Sequence, residues 1–163
     1  MSLSISSLAA ALGKIPSGLA IATSAGTKGR TAFLASWYQQ VSFDPPMVTL
    51  SIKPSRPIES FIEESRLIGL NFLSEGDFSS LKKYGKGFEP GIDPWSDDPS
   101  VLLSNYSTPL LRQSHAWLLL RYVKKIDIGG DHLLFIGEVI EGQLQAGEGQ
   151  KPYIHIRKDG LNY

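Results

Sequence analysis

The segment Lys53-Pro54-Ser55-Arg56-Pro57 sets two cations and a hydroxyl at a change of period. Before it, Val48, Leu50 and Ile52 alternate with polar residues; after it, Ile58, Phe61 and Ile62 recur at helical spacing. The first N–H groups of a helix have no internal partners and carry the positive end of its dipole. With a hydroxyl and two cations beside them, the place suits a phosphate. The same residues also read as a capped helix with surface charges, and the local pattern leaves both readings standing. Upstream, Ser36, Trp37, Tyr38, Gln39, Gln40, Val41 and Ser42 join two strand-like segments. Hydroxyls and amides beside an aromatic face can hold a flat heteroaromatic ring with polar edges. Core packing for Trp37 and solvation for the glutamines is the equal alternative. Asn71 lies inside the apolar run Leu67–Leu73, where a buried amide needs partners from either the backbone or a ligand.

Other chemistry is missing. There is no Gly-x-Gly-x-x-Gly, no Gly-x-x-x-x-Gly-Lys-Ser/Thr and no Gly-x-Ser-x-Gly. Gly85-Lys86-Gly87-Phe88 is too short to define a phosphate cradle. His115, His132 and His155 are far apart and lack the spacing of metal ligands, so no metal site is expected. The adjacent pairs Glu63-Glu64 and Asp97-Asp98 read as solvated surface. A chain without an evident nucleophile, base or metal suggests that a bound cofactor carries the chemistry, with no catalytic side chain of its own.

Composition narrows the classes further. The 163 residues are 42% hydrophobic and 20% charged, which fits one globular domain over residues 1–163. Sixteen basic and sixteen acidic residues leave no net charge, so a nucleic-acid partner is not expected. The absence of cysteine excludes disulfides, thiol nucleophiles, iron–sulfur clusters and thiolate metal sites. No apolar run reaches membrane-spanning length and no signal peptide is apparent, so a cytoplasmic location is expected.

The elements that must position these residues are short. Ile5, Leu8, Ala9 and Leu12 predict a helix capped by Ser2 or Ser4 and ended by Gly13. Residues 18–24 and 31–37 read as a hairpin with a loop of a few residues, 47–52 as a half-buried strand, 56–64 as a helix opened by Ser55, and 67–73 as a strand. Asp77 caps a short helix closed by Gly85. Residues 85–107 hold too many prolines and glycines for a regular element, and a loop of that length is usually functional or mobile. Residues 114–128 and 131–146 read as long strands joined by Gly129-Gly130-Asp131, and 152–156 as a last strand. Leu133, Phe135 and Val139 on one face of the second long strand, with Leu134, Ile136 and Ile140 on the other, predict burial on both sides. Six to eight strands with few intervening helices predict a mostly β, α+β fold: an antiparallel split β-barrel with a few short peripheral helices.

In these residues the chain resembles the flavin reductase-like domains of the FMN-binding split-barrel class. The likeness is most specific in Leu34 to Pro46, and continues through Arg56-Pro57-Ile58-Glu59-Ser60, Leu70-Asn71-Phe72-Leu73, Gly130-Asp131-His132 and Phe135 to Val139. Ser-Trp-x-x-Gln-x-Ser-Phe-x-Pro-Pro is especially similar to the C-terminal flavin reductase modules of flavodiiron proteins, and the resemblance implies the reductase unit alone. The resemblance implies an FMN-binding homodimer using NADH or NADPH as hydride donor. Its phosphate site would draw on Ser36 to Ser42 and on Lys53, Ser55 and Arg56. Asn71 and His132 would lie near the cofactor, with Lys86 and Phe88 as lid contacts. Ala35-Ser36-Trp37 departs from the family's Thr-x-Ser-Ser by placing an indole where a hydroxyl is usual. An FMN-carrying electron-transfer module without nicotinamide turnover is the alternative; a barrel holding haem or pyridoxal phosphate is a third. For the dimer, Leu8, Leu12, Phe88 and Trp95 are apolar side chains that one small barrel would not fully cover.

Overall fold

Residues 5–103 and 105–162 are described by a computed structural model, apart from the side chain of Ile5. The expected caps Ser2 and Ser4 lie outside them. Helix α1 (Ile5–Leu12) buries Ala9 and leaves Leu8 44% exposed. The Gly13 N–H closes its last turn on the Ala9 carbonyl at 3.0 Å. After the two-residue strand β1 (Ser17–Gly18) come β2 (Ala20–Gly26) and β3 (Gly29–Ala35), paired from Ala20–Ala35 to Gly26–Gly29. Only Thr27 and Lys28 separate them, a tighter turn than the apolar runs predict.

The next element corrects the reading of residues 36–42 as a connection. Tyr38–Phe43 is a strand, β4, paired with β5 (Pro46–Ile52). Gln39, Gln40 and Val41 are exposed on it. β4 has a single ladder partner and little apolar patterning, so its strand character comes from pairing rather than composition. Helix α2 (Ile58–Ser65) starts two residues later than expected, with Pro57 at the cap position and no side-chain cap bond. Ser55 does not cap it; its φ of 71° puts it in the left-handed region. α2 buries Ile58, Phe61 and Ile62. Each fully buried aliphatic side chain of this kind stabilises by about 1.5–3 kcal/mol. Then follow β6 (Leu67–Phe72), α3 (Phe78–Tyr84), the 3-10 turn Pro99–Val101, β7 (Ala116–Asp127), β8 (Leu133–Leu144) and β9 (Ile154–His155). Asp77 does cap α3, accepting from the Ser80 N–H at 3.0 Å.

Seven strands form one antiparallel sheet in the order β3-β2-β6-β7-β8-β5-β4. Its end strands β3 and β4 are consecutive in the chain, separated by Ser36 and Trp37, yet no ladder joins them among the described residues. Both ends contribute to one core: Phe33 and Ala35 from β3 and Tyr38 from β4 pack with Leu50, Leu70, Leu120, Phe135 and α2's Ile62. The sheet therefore wraps round that core and leaves an open seam, the expected split barrel.

Only one face of β8 is packed. Phe135 is fully buried, but Leu134 and Ile136 are half-buried and Ile140 is 45% exposed, so burial on both sides is not observed. The irregular stretch after α3 covers a second core outside the barrel, where Trp95, Leu102 and Leu111 meet Leu19, Ile21, Leu73 and Tyr84. It is pinned by Arg30–Asp93 at 2.7 Å and by Trp95 Nε1–H donating to the Tyr84 hydroxyl at 2.9 Å. Trp95 is fully buried, against the expectation of uncovered apolar surface, whereas Phe88 and Leu12 are half-buried and so not fully covered. No helix among the described residues is long and apolar enough to cross a membrane.

Candidate functional site

The seam opens into a cavity of about 610 Å³, within the range of small-molecule and cofactor sites. Phe33 and Ala35 from the end of β3, followed by Ser36 and Trp37, form one wall. Ser51 and Lys53, from the end of β5, and Arg56 form another; His132 closes the turn between β7 and β8. Trp37 is held in line with β5 because the Ser51 N–H donates to its carbonyl at 2.9 Å. Its ring centroid lies 4.9 Å from that of His132. The His132 Nδ1 is 2.9 Å from the Asp131 carboxylate, and this contact holds Asp131 below the usual carboxylate range.

Arg56 is half-buried, with its guanidinium 4.9 Å from the centre of the Phe33 ring. Among the described residues it has no carboxylate within ion-pair distance. It also makes no side-chain hydrogen bond there: only its backbone is engaged, the N–H with the Lys53 carbonyl and the carbonyl with the Glu59 N–H. A half-buried cation with free donors at a concave wall is suited to an anionic group.

The third wall comes from a stretch to which sequence reasoning assigned no function. Tyr153, His155, Arg157, Lys158, Asp159 and Asn162 all line the cavity. Tyr153, His155 and Arg157 are half-buried, whereas Ile154 and Ile156 are 70% and 57% exposed. The alternation is inverted: the polar positions are the more buried ones and the aliphatic ones the more exposed, with Ile156 edging the cavity. The signal was present as a short alternating strand followed by Arg157-Lys158, but its phase cannot be read without knowing which face is covered. The segment is seated on α1, with the Arg157 N–H donating to the Gly13 carbonyl at 3.1 Å and the Gly160 N–H to that of Ala9 at 2.8 Å. A side chain at Gly13 would sit 2.7 Å from the Arg157 carbonyl oxygen, so this crossing requires a glycine.

Of the residues singled out from sequence, the structure brings Ser36, Trp37, Lys53, Arg56 and His132 together. Tyr38 and Gln39 instead line a separate cavity of about 500 Å³ with Gly18, Phe72 and Tyr153. Burial pushes the Tyr38 phenol up to about 12. Gln40, Val41 and Ser42 lie further along β4, and Ser55 is exposed outside the cavity. Asn71 is fully buried away from it: its Nδ2 donates to the Ile21 carbonyl at 3.0 Å and its Oδ1 accepts from the Leu111 N–H at 2.7 Å. Phe88 packs on Tyr84 in the second core with ring centroids 5.8 Å apart, and Lys86 is exposed. The residues of that stretch near the cavity are Gly85, in its lining, and Gly87, beside the Arg56 guanidinium. Among the described residues no group of three or more His, Asp or Glu could hold a metal ion.

Fold and site together define a split β-barrel with a cationic, aromatic cavity at its seam. The family model of the flavin reductase like domain matches residues 12–160, and the chain belongs to that family. It is 34% identical to diflavin flavoprotein A 1 of Synechocystis sp. over 159 residues, which is 97% of this chain and 27% of that protein. The chain spans about a quarter of the length of the curated relatives it matches. Among solved structures it is similar to an NADH:FAD oxidoreductase of Streptomyces globisporus C-1027, with a TM-score of 0.78 and 21% identity, covering 90% of this chain and 85% of that one. The flavin reductase of the styrene monooxygenase of Pseudomonas putida S12 matches with a TM-score of 0.72 and 20% identity, over 90% and 91% of the two chains.

Proposed function

We propose that this domain is an NAD(P)H-dependent flavin reductase that holds FMN in the seam cavity. The observation that carries the reading is Arg56, a half-buried cation without a carboxylate partner among the described residues, in the wall of a cavity whose next walls are aromatic. Lys53 and Arg56 would hold the flavin phosphate, and Ser36, Trp37 and His132 would bound the ring. The chemistry would be that of the flavin held there, hydride acceptance from a dihydronicotinamide. The protein's own part is to hold the two ligands in register and to shield them from water, which requires no side-chain acid or base. A second copy of the chain is part of this reading. Val41 and Phe43 on β4, at 55% and 91% exposure, and Ile126, Ile128, Ile140 and Leu144 on or beside the β7–β8 pair form apolar surface that a dimer would cover.

Equilibrium dialysis against FMN at tens of micromolar, followed by NADH and NADPH oxidation by the loaded protein, tests the reading. Near-stoichiometric retention and rapid oxidation are expected, and no retention overturns it. Retention without oxidation favours the electron-transfer module instead, a reading suggested by the much longer flavoproteins of which this chain matches a quarter.

A further inference from the structure

The seam cavity has cations at two places. Lys53 and Arg56 belong to the turn between β5 and α2; Arg157 and Lys158 belong to the C-terminal strap. The two guanidiniums rest on different rings, Arg56 on Phe33 at 4.9 Å and Arg157 on Trp37 at 5.0 Å. Phe33 and Trp37 are four residues apart, about 13 Å of extended chain.

Among the described residues the strap cations are in no direct ion pair with their acidic neighbour Asp159. The Asp159 oxygens are occupied by the Leu161 N–H at 2.7 Å and the Asn162 amide at 3.1 Å. These bonds, the Leu161 N–H first, and last the nearby Arg157 charge, hold Asp159 below the usual carboxylate range. Among the described residues, neither Arg157 nor Lys158 has a carboxylate within ion-pair distance. Among the described residues the guanidinium makes one hydrogen bond, from Nη1 to the Gly160 carbonyl at 3.4 Å, out of five N–H donors. Stacking on Trp37 and the two backbone bonds to α1 hold the strap in place without using up that charge.

A reductase site must hold two phosphorylated ligands at once, and the flavin phosphate accounts for only one of these cationic places. We infer that Arg157 and Lys158 bind the pyrophosphate of the nicotinamide dinucleotide, while Lys53 and Arg56 bind the phosphate of the flavin. This rests on the reductase reading. It makes the strap a determinant of donor affinity but not of flavin affinity.

The test uses Arg157→Gln, Lys158→Gln and Arg157→Lys in the full chain. Flavin affinity is read by quenching of FMN fluorescence, donor affinity by the KM for NADH and NADPH, and the pyrophosphate subsite by calorimetric titration with ADP in the absence of turnover. Loss of a charge-assisted hydrogen bond predicts that Arg157→Gln raises the donor KM and the ADP Kd roughly 10-fold, while the FMN Kd stays within about two-fold. Lys158→Gln should have a smaller effect in the same direction, and Arg157→Lys should recover part of the loss. An FMN Kd that rises as much as the donor KM overturns the inference by placing the flavin phosphate at the strap. Unchanged ADP binding in both Gln variants, or no ADP binding by the wild-type protein, also overturns it. Failure of the reductase reading looks different: wild-type protein then retains no FMN or oxidises neither donor, whatever the ADP titration gives.

Discussion

Asn71 and Arg56 are both polar residues packed against apolar ones, Asn71 fully buried and Arg56 half-buried. Asn71 spends its amide inside the protein, bridging the Ile21 carbonyl of β2 and the Leu111 N–H ahead of β7. Arg56 is covered by an aromatic ring and by the backbone near Gly87, and among the described residues its guanidinium donors have no partner. A buried polar group whose bonds are closed holds the chain together and has nothing left for a ligand. One whose bonds stay open at a concave wall is poised to make them to something else. Hydrogen-bond satisfaction, more than residue type, separates Asn71 from Arg56.

Three substitutions probe that contrast, in falling order of expected effect. Asn71→Leu removes both bonds and leaves the buried Leu111 N–H without its partner, so urea unfolding should show a loss of about 2–4 kcal/mol. The FMN affinity of the fraction that remains folded should be unchanged; a selective loss of FMN binding at full stability would place Asn71 in the site after all. Arg56→Ala should behave in the opposite way. A charge-assisted hydrogen bond contributes about 1.5–3 kcal/mol, so the FMN Kd should rise roughly 10–150-fold. Riboflavin, which lacks the phosphate, should bind as before, and the urea midpoint should hardly move. Parallel weakening of both flavins with a lower midpoint would make Arg56 a structural residue like Asn71.

The smallest effect concerns Tyr38, which sequence reasoning placed at the cofactor and the structure places beside Gly18 and Phe72. Burial raises its phenol from an ordinary value near 10 to about 12. The folded state therefore holds this proton more tightly than the unfolded state. The associated stability is complete below pH 10 and is lost as the pH rises through 12. Tyr38→Phe should flatten the fall of the urea midpoint over that interval and leave FMN binding unaltered. An identical pH profile in the variant would show that the phenol is already solvated.

Local residue pattern determined a good part of this protein by itself. Period-two apolar runs, the Asp77 cap and the glycine-bounded turns marked most strands and the three helices, because burial repeats with the geometry of each element. The turn from Lys53 to Arg56 was legible for the same reason: a change of period shows where a strand hands over to a helix. Tertiary structure decided what no local pattern encodes. β4 is a strand because β5 offers its free edge, although Gln39 and Gln40 give no apolar signal. Ser55 takes a left-handed backbone and drops out of the site, while Arg56 beside it stays. The strap from Tyr153 to Asn162 reaches the cavity only because α1 supplies carbonyls for its N–H groups and Gly13 makes room for it to cross. Contacts between residues more than a hundred positions apart depend on how the sheet closes, and the sheet closes on a core drawn from every strand of the barrel.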